Sequence, residues 1–183
     1  MTSGRKRRNY LIRHPAVWAG SAVLWILTLV FCGVTLETLL FCLLVTVLPA
    51  LSIHDWRYRE IPIGYNLYIA ALGAVRILLH PEQWLLYAAG FFCISTLLLI
   101  TYLITKGRGV GGGDIKLMAV AGLFLGWKLV TVAFLSGGLY ACVIHIARKV
   151  SGKEDTEFAL GPYLSCGILT ALWFGDILVQ WYI

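Results

Sequence analysis

Apolar residues fill long stretches of this chain, and short polar connections separate them. Most of the stretches approach the roughly 20 apolar residues that an α-helix needs to cross a bilayer. The connections are too short to hold a soluble domain. The pattern therefore predicts an all-α fold, a polytopic transmembrane helical bundle of six to seven spans. The apolar stretches cover residues 16–34, 36–53, 63–79, 84–105, 115–127, 129–147 and 158–181.

The composition leads to the same prediction. Of the 183 residues, 60% are hydrophobic and only 13% are charged, so lipid rather than water must surround several segments. We expect a multi-pass protein of the cell (inner) membrane, with a basic cytoplasmic segment at residues 1–15 and a single transmembrane domain at 16–183. The cysteines stand singly, without a C-x-x-C pair, and are typical of small core residues rather than metal ligands or disulfides. They are Cys32, Cys42, Cys93, Cys142 and Cys166.

Lysine and arginine are distributed asymmetrically among the connections. With the N-terminus in the cytoplasm, thirteen of the 15 basic residues fall on the cytoplasmic side, as the positive-inside rule requires. Only Arg76 and Lys128 fall toward the other side. Topology and contact with anionic membrane lipids then explain the net charge of +6, which gives no reason to expect nucleic acid binding.

Two aspartates reach the predicted cytoplasmic face from distant parts of the chain. Asp55 stands in HDWRYREIP, where the second span ends, and Asp114 follows the glycines of KGRGVGGGDIKLM, where the fifth span begins. Taken alone, Asp114 is explained equally well as a helix N-cap. Asp55 is harder to explain, because a carboxylate at a helix C-terminus meets the negative end of the helix dipole and has no capping role there. We therefore expect the two side chains to meet and to share a function.

The apolar stretch after Asp114 is short for a membrane-spanning helix. Residues 115–127 make roughly 20 Å of helix, whereas the hydrocarbon core is about 30 Å thick. If Trp127 and Lys128 mark the outer surface, Asp114 lies below the inner one. Non-helical backbone at that depth needs burial in protein or contact with water. The glycine loop is therefore predicted to line a wet cavity, with bare backbone against which an extended peptide can pair.

GVGGGDIKLMAVAGLFLGW resembles the G-x-G-D signature of the type IV prepilin peptidases and their archaeal preflagellin relatives, which are membrane aspartyl proteases. Gly111, Gly113 and Asp114 match that motif. DWRYREIP is similar to the segment that carries the family's other catalytic aspartate, with Asp55 at that position. LGPYL, at residues 160–164, resembles a further family stretch that opens the last helix.

The resemblance implies a peptidase domain that removes the short basic leader of pilin-like precursors at the cytoplasmic membrane face. It assigns catalysis to Asp55 and Asp114, without a metal or other cofactor. Solvation accounts for Glu60 better than substrate contact does, and snorkelling to headgroups accounts for Lys116 equally well. Whether the protein forms a homo-oligomer is left open. The residues that we expect to contact the precursor are Gly111, Gly112, Gly113, Lys116 and Glu60.

Two features depart from the family pattern. Many bacterial members carry a cytoplasmic domain with paired cysteines, which is linked to N-methylation of the cleaved product. This sequence has neither the room nor the cysteine pairs, so we expect a short form without methyltransferase activity. A polar residue also commonly follows the Ile–Pro pair, whereas here Ile63 follows it and Asn66 comes later.

Three other functions fit part of the pattern. A transporter or ion-translocating protein would use the two aspartates as ion or proton sites. A metal-dependent lipid enzyme would use oxygen-rich ligands for magnesium, and a structural assembly protein would not need the acid at position 114. The peptidase is favoured because it alone explains both acids, the glycines and their shared face. The magnesium ligands would be His54, Asp55, Glu60 and Asp114.

Overall fold

The computed structural model describes residues 15–107, 109–152 and 159–182. Apart from Pro15, the predicted basic segment at 1–15 lies outside these ranges. Within them all regular secondary structure is helical, so the all-α prediction is confirmed. A short 3-10 turn, Pro81–Gln83, precedes the fourth helix. The α-helices are α1 (Pro15–Cys32), α2 (Leu36–Tyr58), α3 (Ile63–Leu79), α4 (Trp84–Ile104), α5 (Gly112–Val150) and α6 (Gly161–Tyr182).

The helices have the length and surface of membrane spans. Of those that the structure describes, α2, α4, α5 and α6 are long and apolar enough to cross a membrane, and α1 and α3 are apolar but shorter. Large apolar side chains such as Val30 and Leu67 point outward and are more than 70% exposed, as expected where lipid is the solvent. The protein is therefore a multi-pass membrane protein.

Helix α5 reverses direction at Gly126, where the backbone angles (φ 79°, ψ 169°) are not helical and favour glycine. The part of α5 before Gly126, its first arm, packs against α4 at Gly90. Gly126 itself lies beside Leu86, and the second arm then returns along α4 to Cys93. The order of these contacts along α4 shows that the two arms are antiparallel. The reversal lies close to the predicted boundary between the fifth and sixth apolar stretches, just before the fifth was predicted to end at residue 127.

Glycines allow both arms of α5 to approach their neighbours closely. A Cβ atom on Gly122 would clash with the carbonyl oxygen of Gly90 in α4, and one on Gly167 of α6 would clash with that of Ala133 in the second arm. Small residues at such crossings bring backbones together, which is how helices associate in a membrane without a hydrophobic driving force. Helix α5 is therefore held tightly between α4 and α6.

Arg76 of α3 links the reversal in α5 to both α3 and α2. Its guanidinium donates to the carbonyl oxygen of Phe124 at 2.8 Å and to Glu37 of α2 at 3.2 Å. Phe124 lies in the last turn of the first arm, where a helix end leaves carbonyls without intrahelical partners. His80 Nε2 also lies 2.7 Å from Glu37 Oε1. This polar cluster fixes the end of the bundle opposite the two aspartates.

The hydrophobic core lies between α2, α3, α5 and α6, and each of these helices contributes side chains that are fully buried. Because α2 ends, and α5 and α6 begin, at the same end of the bundle, their terminal residues meet there. The buried core residues include Leu44, Leu51, Ile69, Leu117, Met118, Phe124 and Ile168.

Among the helix boundaries that differ from the sequence prediction, two concern the aspartates. Helix α2 continues to Tyr58 instead of ending at residue 53, because no glycine or proline lies between residues 53 and 58. Helix α5 begins at Gly112 instead of residue 115, so two glycines that were predicted to be in a loop are helical. Asp55 and Asp114 consequently lie within helices, each about one turn from a helix end.

Replacing Gly122 with alanine should destabilise the bundle, because the new Cβ would meet the backbone of Gly90, which cannot move aside. Overpacking of this kind costs roughly 1–3 kcal/mol. We expect a lower free energy of unfolding for detergent-solubilised Gly122→Ala, followed by circular dichroism. The control is Gly138→Ala, also in α5, where a Cβ meets nothing within 4 Å; it should match or slightly exceed wild type. Wild-type stability of Gly122→Ala would contradict the close packing.

Candidate active site

The end of α2 is fixed by contacts within the turn that follows it. Arg59 adopts a left-handed conformation (φ 56°, ψ 30°), and its N–H donates to the carbonyl oxygen of Asp55 at 2.8 Å. The ring nitrogen Nδ1 of His54 lies 2.9 Å from the carbonyl oxygen of Glu60. Pro62 then leads into α3 with no backbone N–H to satisfy. These contacts hold the turn that positions Asp55.

Asp55 caps the N-terminus of α6. Its Oδ2 accepts the N–H of Gly161 at 2.8 Å. The next residue, Pro162, has no N–H, and the two N–H groups after it both donate to the Leu160 carbonyl at 3.0 Å. Asp55 therefore satisfies a donor that the first turn would leave unpaired. Asp55 therefore has no capping role in its own helix, as expected, but it caps a helix distant in sequence.

Asp114 lies in the first turn of α5 and is not the N-cap that its sequence context suggested. The N-cap is Gly111, whose carbonyl oxygen accepts the N–H of Asp114 at 3.1 Å. The carboxylate turns back toward this glycine, since a Cβ on Gly111 would lie 3.0 Å from Asp114 Oδ2. An acid in the first turn complements the helix dipole. Capping does not explain, however, why the side chain is only 8% exposed.

The two aspartates converge at one end of the bundle. Asp55 is 5% exposed and Asp114 8%, and the two carboxyl groups lie close enough for their charges to interact. The first turn of α5 packs against the turn after α2, since a Cβ on Gly113 would lie 3.1 Å from Ile61 Cβ. Arg59 also acts electrostatically on Asp55. The site therefore combines two buried acids with two helix N-termini.

The residues predicted to contact a substrate occupy different surroundings. Gly111 and Gly113 touch residues of the site, whereas Gly112 faces open space. Lys116 and Glu60 are both exposed. The glycine segment is therefore not the extended, bare loop that the sequence suggested, because Gly112 and Gly113 already belong to α5.

A cavity of about 720 Å³ lies beside the site but includes neither aspartate. It is bounded by α1, α2 and α3, with His54, Tyr58 and Tyr65 in its wall. The glycine loop, which was predicted to line a wet cavity, does not contribute to the wall of this one. The N-terminus of α6 covers one carboxyl group, and the other folds onto its own helix start.

The alternative magnesium site is not assembled. Among the residues that the structure describes, no three His, Cys, Asp or Glu side chains are placed to hold one metal ion. The His54 ring nitrogen is beside a backbone carbonyl, and Glu60 is exposed. The four residues of that alternative therefore do not form a shared set of ligands.

Sequence analysis gave no role to two polar groups near the aspartates. One is the N–H of Gly161. Its signal in the sequence was the Gly–Pro pair in LGPYL: because proline has no N–H, the glycine before it supplies the first free donor of the helix. The other is Asn66 of α3, which is 4% exposed and has no hydrogen-bond partner for either side-chain atom. Its signals in the sequence were a lone amide in an apolar helix and its place as the first polar side chain, apart from Tyr65, after the Ile–Pro pair.

Comparison with known proteins connects this geometry to a family. Residues 42–146, which include both aspartates, match the model of the type IV leader peptidase family. Three similar curated proteins are each named prepilin leader peptidase/N-methyltransferase. The protein from Bacillus subtilis is 29% identical over 179 residues, that from Legionella pneumophila 28% over 181, and that from Escherichia coli 30% over 144.

These alignments cover 93%, 95% and 73% of this chain, respectively. They cover 69%, 63% and 60% of the relatives, so the chain spans roughly two thirds of their length. No solved structure matches the chain significantly. Since the family match extends over more than half of the residues, the chain belongs to the type IV leader peptidase family.

Proposed function

We propose that this protein is an aspartyl endopeptidase that removes the short basic leader of pilin-like precursors at the cytoplasmic face of the cell (inner) membrane. The observation that carries the proposal is the convergence of the buried Asp55 and Asp114 carboxyl groups at one end of a membrane bundle. An ionisable pair in membrane helices is a functional candidate by default. Family membership supports peptide hydrolysis, and the relatives' names support a prepilin substrate.

Hydrolysis by this pair needs one proton between two carboxyl groups. Neighbouring carboxyls in a site of low polarity do not both ionise, so they titrate as a unit. The ionised member takes a proton from a water molecule that attacks the scissile carbonyl carbon, and the protonated member donates to the carbonyl oxygen. The N–H of Gly161 is a fixed donor to Asp55 and keeps that carboxyl in place.

The precursor backbone meets the site at the start of α5. Gly112 faces open space, and the first N–H groups of a helix have no intrahelical acceptors. They are suited to bind a substrate carbonyl oxygen near the cleaved bond. Glu60 carries a charge opposite to that of a basic leader, and the exposed Lys116 anchors α5 at the headgroups. Because both acids are buried, the N-terminus of α6 or the turn after α2 must move aside before cleavage.

We propose leader cleavage without N-methylation. The relatives' names include both activities, and this chain spans 60–69% of their length. All five cysteines are free and scattered among the helices, so they do not form the pairs that we associate with methylation. The proposal is therefore restricted to the peptidase reaction.

Ion or proton translocation is the second candidate. The observation that favours it is the burial of two acids in helices long enough to cross a membrane. It does not account for the match to a peptidase family. A direct assay of precursor cleavage separates the two functions.

Asp55→Asn and Asp114→Asn should each abolish cleavage of a co-expressed pilin-like precursor. Asparagine keeps the shape of the side chain but cannot exchange the proton, and losing a general acid or base costs roughly 10²–10⁴-fold in rate. Cleavage is measured by the mass of the product, at matched amounts of each variant in the membrane. The control is Asp176→Asn in α6, an exposed carboxylate, which should act like wild type. Processing by either active-site variant would refute the proposed mechanism.

Chelation should leave cleavage by the purified protein unchanged, because two aspartates exchange protons without a metal. The test compares cleavage rates in detergent before and after EDTA treatment, and again after magnesium is added back. Loss of activity with EDTA and recovery with magnesium would instead favour a metal-dependent enzyme.

Gly161→Ala should impair cleavage more than stability. A Cβ at this position would lie 2.6 Å from Asp55 Oδ2 and 2.9 Å from its Cβ, so the carboxyl group must shift. A displacement of about 1 Å can cost on the order of 10²-fold in rate. We expect such a loss in kcat/KM, with Gly138→Ala, which has space for its Cβ, as the matched control. Wild-type kcat/KM for Gly161→Ala would show that this contact does not position the acid.

A further inference from the structure

We infer that Asn66 of α3 is a substrate-binding residue, whose side-chain amide pairs with a peptide group of the precursor next to the cleaved bond. The inference rests on the proposed peptidase function. Asn66 is 4% exposed, and neither its Oδ1 nor its Nδ2 has a hydrogen-bond partner. Burying an unpaired amide is costly, so buried polar groups are almost always bonded. The folded chain alone gives this side chain no purpose.

One contact before Asn66 in the sequence and one after it place this residue near the level of Asp114 in the bundle. Asn66 shares a face of α3 with Gly73, where a Cβ would lie 3.1 Å from the Leu123 side chain in the first arm of α5. Just before α3, Ile61 packs against the glycine that precedes Asp114. Between these two contacts α3 and the first arm run in the same direction. Asn66 therefore lies between the two levels, next to the start of α5.

The preceding residue relates Asn66 to the other aspartate. The ring of Tyr65 lies near that of His54, with 6.2 Å between their centroids. His54 immediately precedes Asp55 on α2, so α2 and α3 meet at this level. Asn66 and both aspartates consequently lie toward the same end of the bundle.

A carboxamide is complementary to a peptide group. Its oxygen accepts from a backbone N–H, and its NH₂ group donates to a backbone carbonyl. A dyad that acts on one peptide bond leaves the neighbouring peptide groups of an extended substrate without partners. Pairing one of them with Asn66 would satisfy both sides at once, and a substrate that lacked the N–H would leave the amide unpaired again.

The test combines an enzyme substitution with a substrate substitution, using the purified full chain and a synthetic peptide with a basic leader, a cleavage site and the start of an apolar helix. Asn66→Leu removes both polar atoms at similar size. A peptide series replaces one amide near the cleaved bond at a time with an ester, which removes its N–H. We expect Asn66→Leu to lower kcat/KM by roughly tenfold or more, with thermal stability at or above that of wild type.

The substrate series gives the more specific readout. At one position the ester should slow wild-type cleavage by a similar factor, yet leave cleavage by Asn66→Leu unchanged, because that variant has already lost the acceptor. The control is Ile69→Leu, a buried position about one turn further along the same face, which should respond to every ester as wild type does. Independent, multiplicative effects of ester and substitution at every position would overturn the inference.

Asn66→Asp guards against a folding defect in the leucine variant, because it keeps the shape and the acceptor while losing the donor. It should also lower kcat/KM. Wild-type kcat/KM in either folded variant would overturn the inference. Failure of both variants to fold would show that the amide has a structural role, which would also overturn the inference. If wild type fails to cleave the peptide, or Asp55→Asn cleaves it, the proposed function itself fails; if those results hold and Asn66→Leu is fully active, only the role of Asn66 is refuted.

Discussion

Two carboxyl groups that interact electrostatically are buried in an apolar bundle, and the N-termini of α5 and α6 offset the cost of burying them. Asp55 accepts the N–H of Gly161, and Asp114 turns back onto Gly111 at the start of its own helix. Both acids thus lie at the positive end of a helix dipole. The glycine at the start of α6 follows from the same requirement, because a Cβ at residue 161 would occupy the space of Asp55.

The sequence predicts the helices well because lipid imposes a strong constraint on them: every span must be apolar and must satisfy its own backbone. Helix α3 has the predicted bounds, 63–79, and the break at Gly126 falls next to the predicted end of the fifth stretch at residue 127. The C-terminal end of α2 and the N-terminal end of α5 were predicted incorrectly. Hydropathy drops at charged residues and glycines, but the helical hydrogen bonds continue through them.

Local sequence patterns predict only part of the site. The motifs bring the two aspartates to the same predicted face, but the partner of Asp55 is a backbone N–H far along the chain, which no local rule reveals. An aspartate near a helix C-terminus is unfavourable when its own helix is considered alone. The N-terminus of α6 reverses that conclusion. Sequence analysis gave Asn66 no role for a related reason, because only the folded structure shows that its side chain is buried without a hydrogen-bond partner.

The reversal at Gly126 sets the depth at which the acids lie. The first arm of α5 makes roughly 20 Å of helix, and Arg76 fixes its far end by bonding the Phe124 carbonyl. An arm that starts at the far surface of a core about 30 Å thick stops short of the near surface. For an arm in that position, we predict that Asp114 lies within the membrane's polar boundary rather than outside it. A precursor whose leader joins an apolar helix would present its cleavage bond at that depth, so the short arm and the proposed substrate are matched in geometry.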